Sequence, residues 1–122
     1  LIDLKILKAS RDEVFEKELY KEFFMHRTSH WLGLDVHDAG QYFDDSSEGM
    51  DLKPVKFQDS NVLTVEPGCY IKPHSNVPKE FWGIGIRIED DVLVTPSGNR
   101  VLSANASKEI EDLEDTIGSL NE

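Results

Sequence analysis

The chain has a single cysteine, Cys69, among its 122 residues. An intrachain disulfide is therefore excluded, and so is a structural zinc finger, which needs several cysteines. The sequence also lacks any apolar run near the ~20 residues that a membrane-spanning helix needs. These absences predict a protein of a reducing, cytoplasmic compartment without a membrane partner.

Basic residues are scarce as well. Thirteen lysines and arginines stand against 24 aspartates and glutamates, which gives a formal net charge of −11. Negative charge of this size repels nucleic acid and anionic membranes over a Debye length of about 8 Å, so neither is expected as a partner. The carboxylates have two interpretations: a solvated acidic face, or ligands gathered for divalent cations. Length and 39% apolar content suit one domain over residues 1–122.

The pattern predicts a helix over residues 11–20, since Ser10 and Glu13 match a capping box. Residues 23–38 should be extended or irregular, and 40–60 should form a polar loop. A strand is expected at 61–65, with Glu66 on the face of its even-numbered residues. A second strand at 83–89 should point its three isoleucines into the core, and Arg87 and Glu89 the other way. A hairpin turn at 96–99 and a helix that Ser107 can cap should follow.

The opening residues 1–8 begin within an amphipathic pattern, without an initiator methionine or a signal segment. We expect the chain to be a piece of a longer protein.

Three of the four histidines, His26, His30 and His37, fall within twelve residues. Histidine is the commonest protein ligand for transition metals and the side chain best suited to proton transfer near neutral pH. Together with Glu66 and Glu89 they form a mixed donor set that suits manganese, magnesium, cobalt or zinc. A lone histidine is more often structural, and the acidic run at 89–91 could be an exposed turn. The density of donors nevertheless predicts a metal centre.

Three segments carry a family resemblance: residues 26–38, containing SHWLGLDVHD; residues 63–71, LTVEPGCYI; and residues 83–91, GIGIRIEDD. In this order they closely resemble the C-terminal part of aminopeptidase P, the Xaa-Pro aminopeptidase family of pita-bread metallopeptidases. The resemblance runs from Leu1 to about Ser107. It implies an α+β fold that is half of a pita-bread domain, with a curved, mostly antiparallel sheet and flanking helices.

The resemblance also implies roles for single residues. His30, Glu66 and Glu89 would be metal ligands, with Glu66 also carrying a proton for the attacking water and Glu89 bridging two ions. His37 would hydrogen-bond the scissile carbonyl or the tetrahedral intermediate. His26 would line the proline pocket, and Tyr70 would be a hydrogen-bonding residue of its wall. Arg87 would orient active-site groups. The catalytic set is thus His37, Glu66 and Arg87, and the substrate-binding set is His26, His37, Tyr70 and Arg87.

The implied activity is hydrolysis of the first residue from peptides with proline second, by water activated at two divalent ions, manganese first and zinc or cobalt as alternatives. The family uses five protein ligands, and this chain carries three. The other two are aspartates of an upstream strand pair. We therefore expect a partner in the missing N-terminal half, weak or no activity and loosely held or absent metal in the isolated chain, and self-association into a homo-oligomer. A prolidase-type dipeptidase and a non-catalytic pita-bread module that binds peptides stay open as alternatives.

Overall fold

The computed structural model describes residues 1–44, 52–73 and 76–118. The fold is α+β, as predicted, with antiparallel sheets and short helices. Most of the acidic residues in the predicted 40–60 loop, and the fourth histidine, lie outside the described residues. The elements in chain order are helix α1 (Arg11–Glu16), a 3₁₀ turn (Leu19–Glu22), strands β1 (Val62–Val65) and β2 (Gly68–Tyr70), a 3₁₀ turn (Lys79–Phe81), strands β3 (Gly85–Arg87), β4 (Asp90–Thr95) and β5 (Gly98–Val101), and helix α2 (Ile110–Gly118).

Backbone contacts divide the chain into two compact units. Leu1–Thr28 and Glu66–Ile88 form the first, and Ser29–Val65 and the chain from Glu89 onward form the second.

The helix predicted in the first unit begins where expected but ends early. The Ser10 hydroxyl accepts a hydrogen bond from the N–H of Glu13 at 3.2 Å, which confirms the cap. The helix stops at Glu16 because Glu18 adopts a left-handed conformation, with φ 52°, and a 3₁₀ turn follows. A left-handed residue just after the last turn is a common helix terminator. The prediction of a continuous helix to residue 20 was therefore wrong.

The sheet of the first unit pairs β2 with β3, from Gly68 opposite Arg87 to Tyr70 opposite Gly85. Its apolar core does not use the isoleucines of β3. The core consists of Ile6, Phe23, Ile71 and Val77, with Leu1, Leu7, Cys69 and Phe81 packed against it.

The prediction that the β3 isoleucines are buried was wrong. Ile84, Ile86 and Ile88 expose 37%, 55% and 47% of their surface. Alternation along a strand separates two faces, but it does not tell which face another element covers.

The second unit is built on a three-stranded antiparallel sheet in the order β1-β4-β5. The predicted strand at 61–65 is confirmed as β1, which pairs with β4 from Val62 opposite Leu93 to Val65 opposite Asp90. The predicted hairpin turn is confirmed between Thr95 and Gly98, which face each other across β4 and β5. Gly98 has φ +144°, a conformation that side chains with a Cβ rarely adopt.

The other edge of β1 carries the histidine-rich segment. Trp31 forms an isolated antiparallel bridge with Leu63, and the N–H of Leu32 donates to the carbonyl oxygen of Val62 at 3.1 Å. Around this bridge the segment is irregular, with bends at residues 33–37, which agrees with the prediction of extended or irregular backbone. Within the described ranges no helix has the length and apolar character needed to cross a membrane.

Candidate metal centre

The β1–β4 ladder sets the positions of the two candidate carboxylate ligands. Val65 and Asp90 are its last pair. Glu66 directly follows Val65, and Glu89 directly precedes Asp90. Paired neighbours in an antiparallel ladder lie about 5 Å apart, so these two glutamates leave the ladder side by side. A turn was predicted at Pro67 and Gly68, but β1 ends at Val65 and Gly68 is already the first residue of β2, so only Glu66 and Pro67 separate the two strands.

The third candidate ligand, His30, is held by reciprocal hydrogen bonds with Thr64. The N–H of Thr64 donates to the carbonyl oxygen of His30 at 3.0 Å, and the N–H of His30 donates to the Thr64 hydroxyl oxygen at 3.1 Å. Thr64 is only 1% exposed, so this anchor is fixed by surrounding packing.

The ring of His30 is oriented by its own backbone neighbour. Its Nδ1 lies 2.9 Å from the carbonyl oxygen of Trp31. A carbonyl oxygen only accepts, so the proton of the neutral ring must be on Nδ1, and Nε2 keeps its lone pair. Histidines that bind metals usually donate their other ring N–H to a backbone carbonyl or carboxylate in this way. The ring therefore presents Nε2 as a ligand atom.

One ligand atom from each of His30, Glu66 and Glu89 lies within 4.8 Å of the other two. Imidazole nitrogen with two carboxylates is a donor set for divalent transition metals. Glu66 is 9% exposed, and Glu89 is half-buried. A buried carboxylate needs a compensating cation or hydrogen bonds, and a divalent ion meets that need. These three residues could hold a metal ion.

Arg87 also approaches Glu66. Its Nε lies 4.0 Å from Glu66 Oε2, with 52% of the arginine side chain exposed. This separation is too long for a hydrogen bond between these two atoms, and solvent screens the attraction between the two charges. The guanidinium therefore places positive charge near the Glu66 carboxylate. The sequence predicted one strand over residues 83–89 with Arg87 and Glu89 on a shared face. This was wrong, because β3 ends at Arg87 and Glu89 lies outside it, directly before β4.

His26 and Tyr70 are brought together in the first unit. His26 Nδ1 lies 2.8 Å from the carbonyl oxygen of Arg27, and its Nε2 lies 2.7 Å from the Tyr70 hydroxyl. Because a carbonyl oxygen only accepts, the neutral His26 ring carries its proton on Nδ1, and its Nε2 accepts a hydrogen bond from the Tyr70 hydroxyl. The Tyr70 hydroxyl oxygen then keeps its lone pairs for a further donor. Phe24 packs edge-on against the His26 ring at 4.9 Å between centroids.

His37 lies beside His30, with ring centroids 4.3 Å apart and an edge-to-face angle of 80°. It is exposed, whereas His30 is half-buried. An exposed imidazole next to a candidate ligand can exchange protons with a substrate.

Sequence reasoning missed three residues that hydrogen-bond His30 or the residue after Glu89. Thr64 could have been found, because alternation puts it on the face of Glu66. Ser103 and Lys108 gave no such signal, although both bond Asp90, which follows Glu89. The Lys108 ammonium and then the Ser103 hydroxyl, as hydrogen-bond donors, lower the pKa of the Asp90 carboxyl below its ordinary value.

A family model, that of metallopeptidase family M24, matches residues 3–96. The chain belongs to metallopeptidase family M24. Among the curated M24 relatives, a Xaa-Pro aminopeptidase of Haemophilus influenzae is 45% identical over 117 residues, 96% of this chain and 26% of the relative. One from Escherichia coli is 47% identical over 114 residues, 93% of this chain and 24% of the relative.

A solved structure of the zinc-substituted Escherichia coli aminopeptidase P with product superposes with a TM-score of 0.85 at 45% identity, covering 98% of this chain and 26% of that one. The pita-bread half predicted from the sequence is thereby confirmed as the fold. The chain spans about a quarter of the length of the M24 relatives that it matches.

Proposed function

We propose that this chain is the C-terminal part of the catalytic domain of a Xaa-Pro aminopeptidase, which removes the first residue from peptides with proline second. The observation that carries the proposal is the convergence of one imidazole and two carboxylates, with ligand atoms within 4.8 Å of one another. The relatives at 45% and 47% identity, both Xaa-Pro aminopeptidases, support this substrate class.

His30, Glu66 and Glu89 would be this chain's ligands in a centre of two divalent cations. Manganese is the first candidate, and zinc and cobalt are the others; the zinc-substituted relative supports a site tolerant of the metal. When bound, the cations would supply a Lewis acid and an activated water near neutral pH.

The chain's own residues would perform the proton transfers and orient the substrate. The Glu66 carboxylate takes the proton of the attacking water and delivers it to the departing proline nitrogen as the peptide C–N bond breaks. His37 donates a hydrogen bond to the scissile carbonyl oxygen, where negative charge develops. His26 and Tyr70, joined by their 2.7 Å hydrogen bond, form the wall of the proline pocket. Arg87 orients the Glu66 carboxylate.

The isolated chain is incomplete in this scheme. With three of five ligands, the chain offers fewer donor atoms to a cation, so metal would be held loosely and turnover would be weak or absent. The N-terminal half of the same protein is the required partner, and the complete protein acts in the cytoplasm as a homo-oligomer.

A chimeric protein tests this function. The chain is fused behind the Escherichia coli relative's own N-terminal segment, in place of the region that it matches. Release of the first residue from a tripeptide with proline second is then measured with Mn²⁺. We expect turnover by the chimera and little or none by the isolated chain.

Controls separate the ligands from general damage. His30→Ala and Glu89→Gln should reduce turnover to background, whereas Glu80→Gln, at an exposed position, should not. Turnover by the ligand variants, or full activity and tight binding of two metals by the isolated chain, would contradict the proposal. Faster hydrolysis of a dipeptide ending in proline than of the tripeptide would point to a prolidase, and metal-independent peptide binding without turnover to a non-catalytic module.

A further inference from the structure

Three hydrogen bonds tie the segment after β5 to the first residues of β4, and a fourth lies within that segment. The Ser103 hydroxyl donates to Asp90 Oδ1 at 2.6 Å and accepts from the N–H of Asp91 at 3.0 Å. The Lys108 ammonium donates to the same Asp90 oxygen at 2.8 Å and to the carbonyl oxygen of Ser103 at 3.2 Å. We call Asp90, Ser103 and Lys108 the β4 clamp.

The clamp stands where the β4–β5 ladder has ended. The last pair of that ladder is Val92 with Val101. The N–H of Leu102 still donates to the carbonyl oxygen of Asp91 at 2.7 Å. The Asp91 N–H has no further strand residue to bond, and the Ser103 hydroxyl takes that place. The clamp therefore continues the restraint on β4 beyond the end of its neighbour.

This restraint acts one residue from a candidate metal ligand. Asp90 is the first residue of β4, and Glu89 precedes it. Successive side chains point to opposite faces, so the clamp holds the backbone from the face opposite to the Glu89 carboxylate. Strand ends open more easily than strand centres, and a shift there would move Glu89 directly.

The clamp also balances charge. Glu89, Asp90 and Asp91 are three consecutive acids, and Lys108 is the cation that contacts Asp90. The side chains of Lys108 and Asp90 expose only 27% and 28% of their surface, so the pair is more strongly held than an open surface ion pair. Loss of the ammonium would leave the Asp90 carboxylate unbalanced beside the strand end.

We propose that Ser103 and Lys108 are positioning residues for Glu89: through Asp90 and Asp91 they fix the start of β4, so that the Glu89 carboxylate is presented to the metal without rearrangement. The part of this inference that concerns the metal rests on the proposed function. The part that concerns the order of the β4 start does not. Supporting groups of this kind change metal affinity by about 10- to 100-fold.

The test compares Lys108→Met, Lys108→Arg and Ser103→Ala with the unchanged 122-residue chain. Lys56→Met is the matched control, because it removes the same charge from an exposed position. Two quantities are measured: the dissociation constant for Zn²⁺ by titration calorimetry, and amide hydrogen exchange of a peptide covering residues 89–93 without metal.

We expect Lys108→Met and Ser103→Ala to weaken Zn²⁺ binding about tenfold and to speed exchange at 89–93. Lys108→Arg should keep Zn²⁺ affinity and the exchange rate at 89–93 close to those of the unchanged chain. Lys56→Met should change neither the affinity nor the exchange rate. Unchanged affinity and exchange in both clamp variants would overturn the proposal. So would faster exchange confined to residues 102–118 with unchanged affinity, since the clamp would then only anchor the C-terminal segment.

The failure of the proposed function would look different. If the unchanged chain, and the chimera described above, bind no Zn²⁺, the metal centre itself is contradicted. The exchange at residues 89–93 then decides by itself whether the clamp orders the backbone that carries Glu89. Should Lys108→Met not fold, Ser103→Ala decides, since it keeps the charge pair and removes only one hydroxyl.

Discussion

Thr64 offers a sharp test of how the structure orients its histidine ligand. Its hydroxyl oxygen accepts the N–H of His30 at 3.1 Å and is almost completely shielded, since Thr64 is 1% exposed. Thr64→Val keeps the volume and the branched shape but leaves that N–H without its partner. An unsatisfied buried donor costs about 1–3 kcal/mol. Thr64→Ser keeps the hydroxyl and loses one buried methyl, which costs about 1 kcal/mol.

The two variants thus have similar expected stabilities and different expected metal affinities. Urea unfolding followed by circular dichroism gives the free energy of unfolding, and calorimetric titration gives the Zn²⁺ dissociation constant. Thr64→Val should weaken Zn²⁺ binding about tenfold, because the backbone that carries the His30 ring loses one of its two hydrogen bonds to Thr64. Thr64→Ser should bind as the unchanged chain does. Equal affinities in both variants, despite the expected loss of stability, would refute the claim that Thr64 positions His30.

Three further predictions follow from particular contacts. A Cβ at Gly68 would lie 2.6 Å from the Tyr70 hydroxyl, so Gly68→Ala should displace that ring and abolish its histidine hydrogen bond, visible as a shift of the imidazole NMR signals. Phe23→Ala should lower the free energy of unfolding by about 3–5 kcal/mol, since Phe23 is 2% exposed, whereas Ile86→Ala, 55% exposed, should cost below about 1 kcal/mol; comparable losses in urea unfolding would contradict the core assignment. A hydrogen bond from the lysine one helical turn later lowers the pKa of Glu13, so its stabilising contribution exists above the ordinary value of 4.5 and is lost as pH falls through the lowered pKa. In Glu13→Gln, the melting temperature should therefore fall less steeply as pH drops below 4.5 than in the unchanged chain. An equally steep fall in both would count against this ion pair.

Part of the site was within reach of the sequence, because neighbouring residues determine the strand that Glu66 follows. The strand β1 was predicted from its alternation, and Glu66 directly follows its last residue, Val65. The convergence of His30, Glu66 and Glu89 was anticipated from the family resemblance. Periodicity alone placed each residue on a strand or loop but could not place them at one point.

Other features depended on which surfaces pack together, and sequence patterns do not record that. The isoleucines of β3 alternate as a core face would, yet the core of that unit forms around Phe23 and the segment after β2. Helix α1 ends early because Glu18 adopts a left-handed conformation, which neither a capping box nor helical spacing predicts. The β4 clamp joins Asp90 to Lys108 across 18 residues and a hairpin, so no periodic signal marks it.

One imidazole and two glutamates converge on one metal-binding site, and the proposed function depends on that convergence. A crystal structure of the chain soaked with Zn²⁺, with anomalous diffraction recorded at the zinc edge, tests it most directly. We expect an anomalous peak about 2.0–2.2 Å from His30 Nε2 and from a carboxylate oxygen of Glu66 or Glu89. A peak at other residues, or the three side chains pointing apart with no ion between them, would contradict the account.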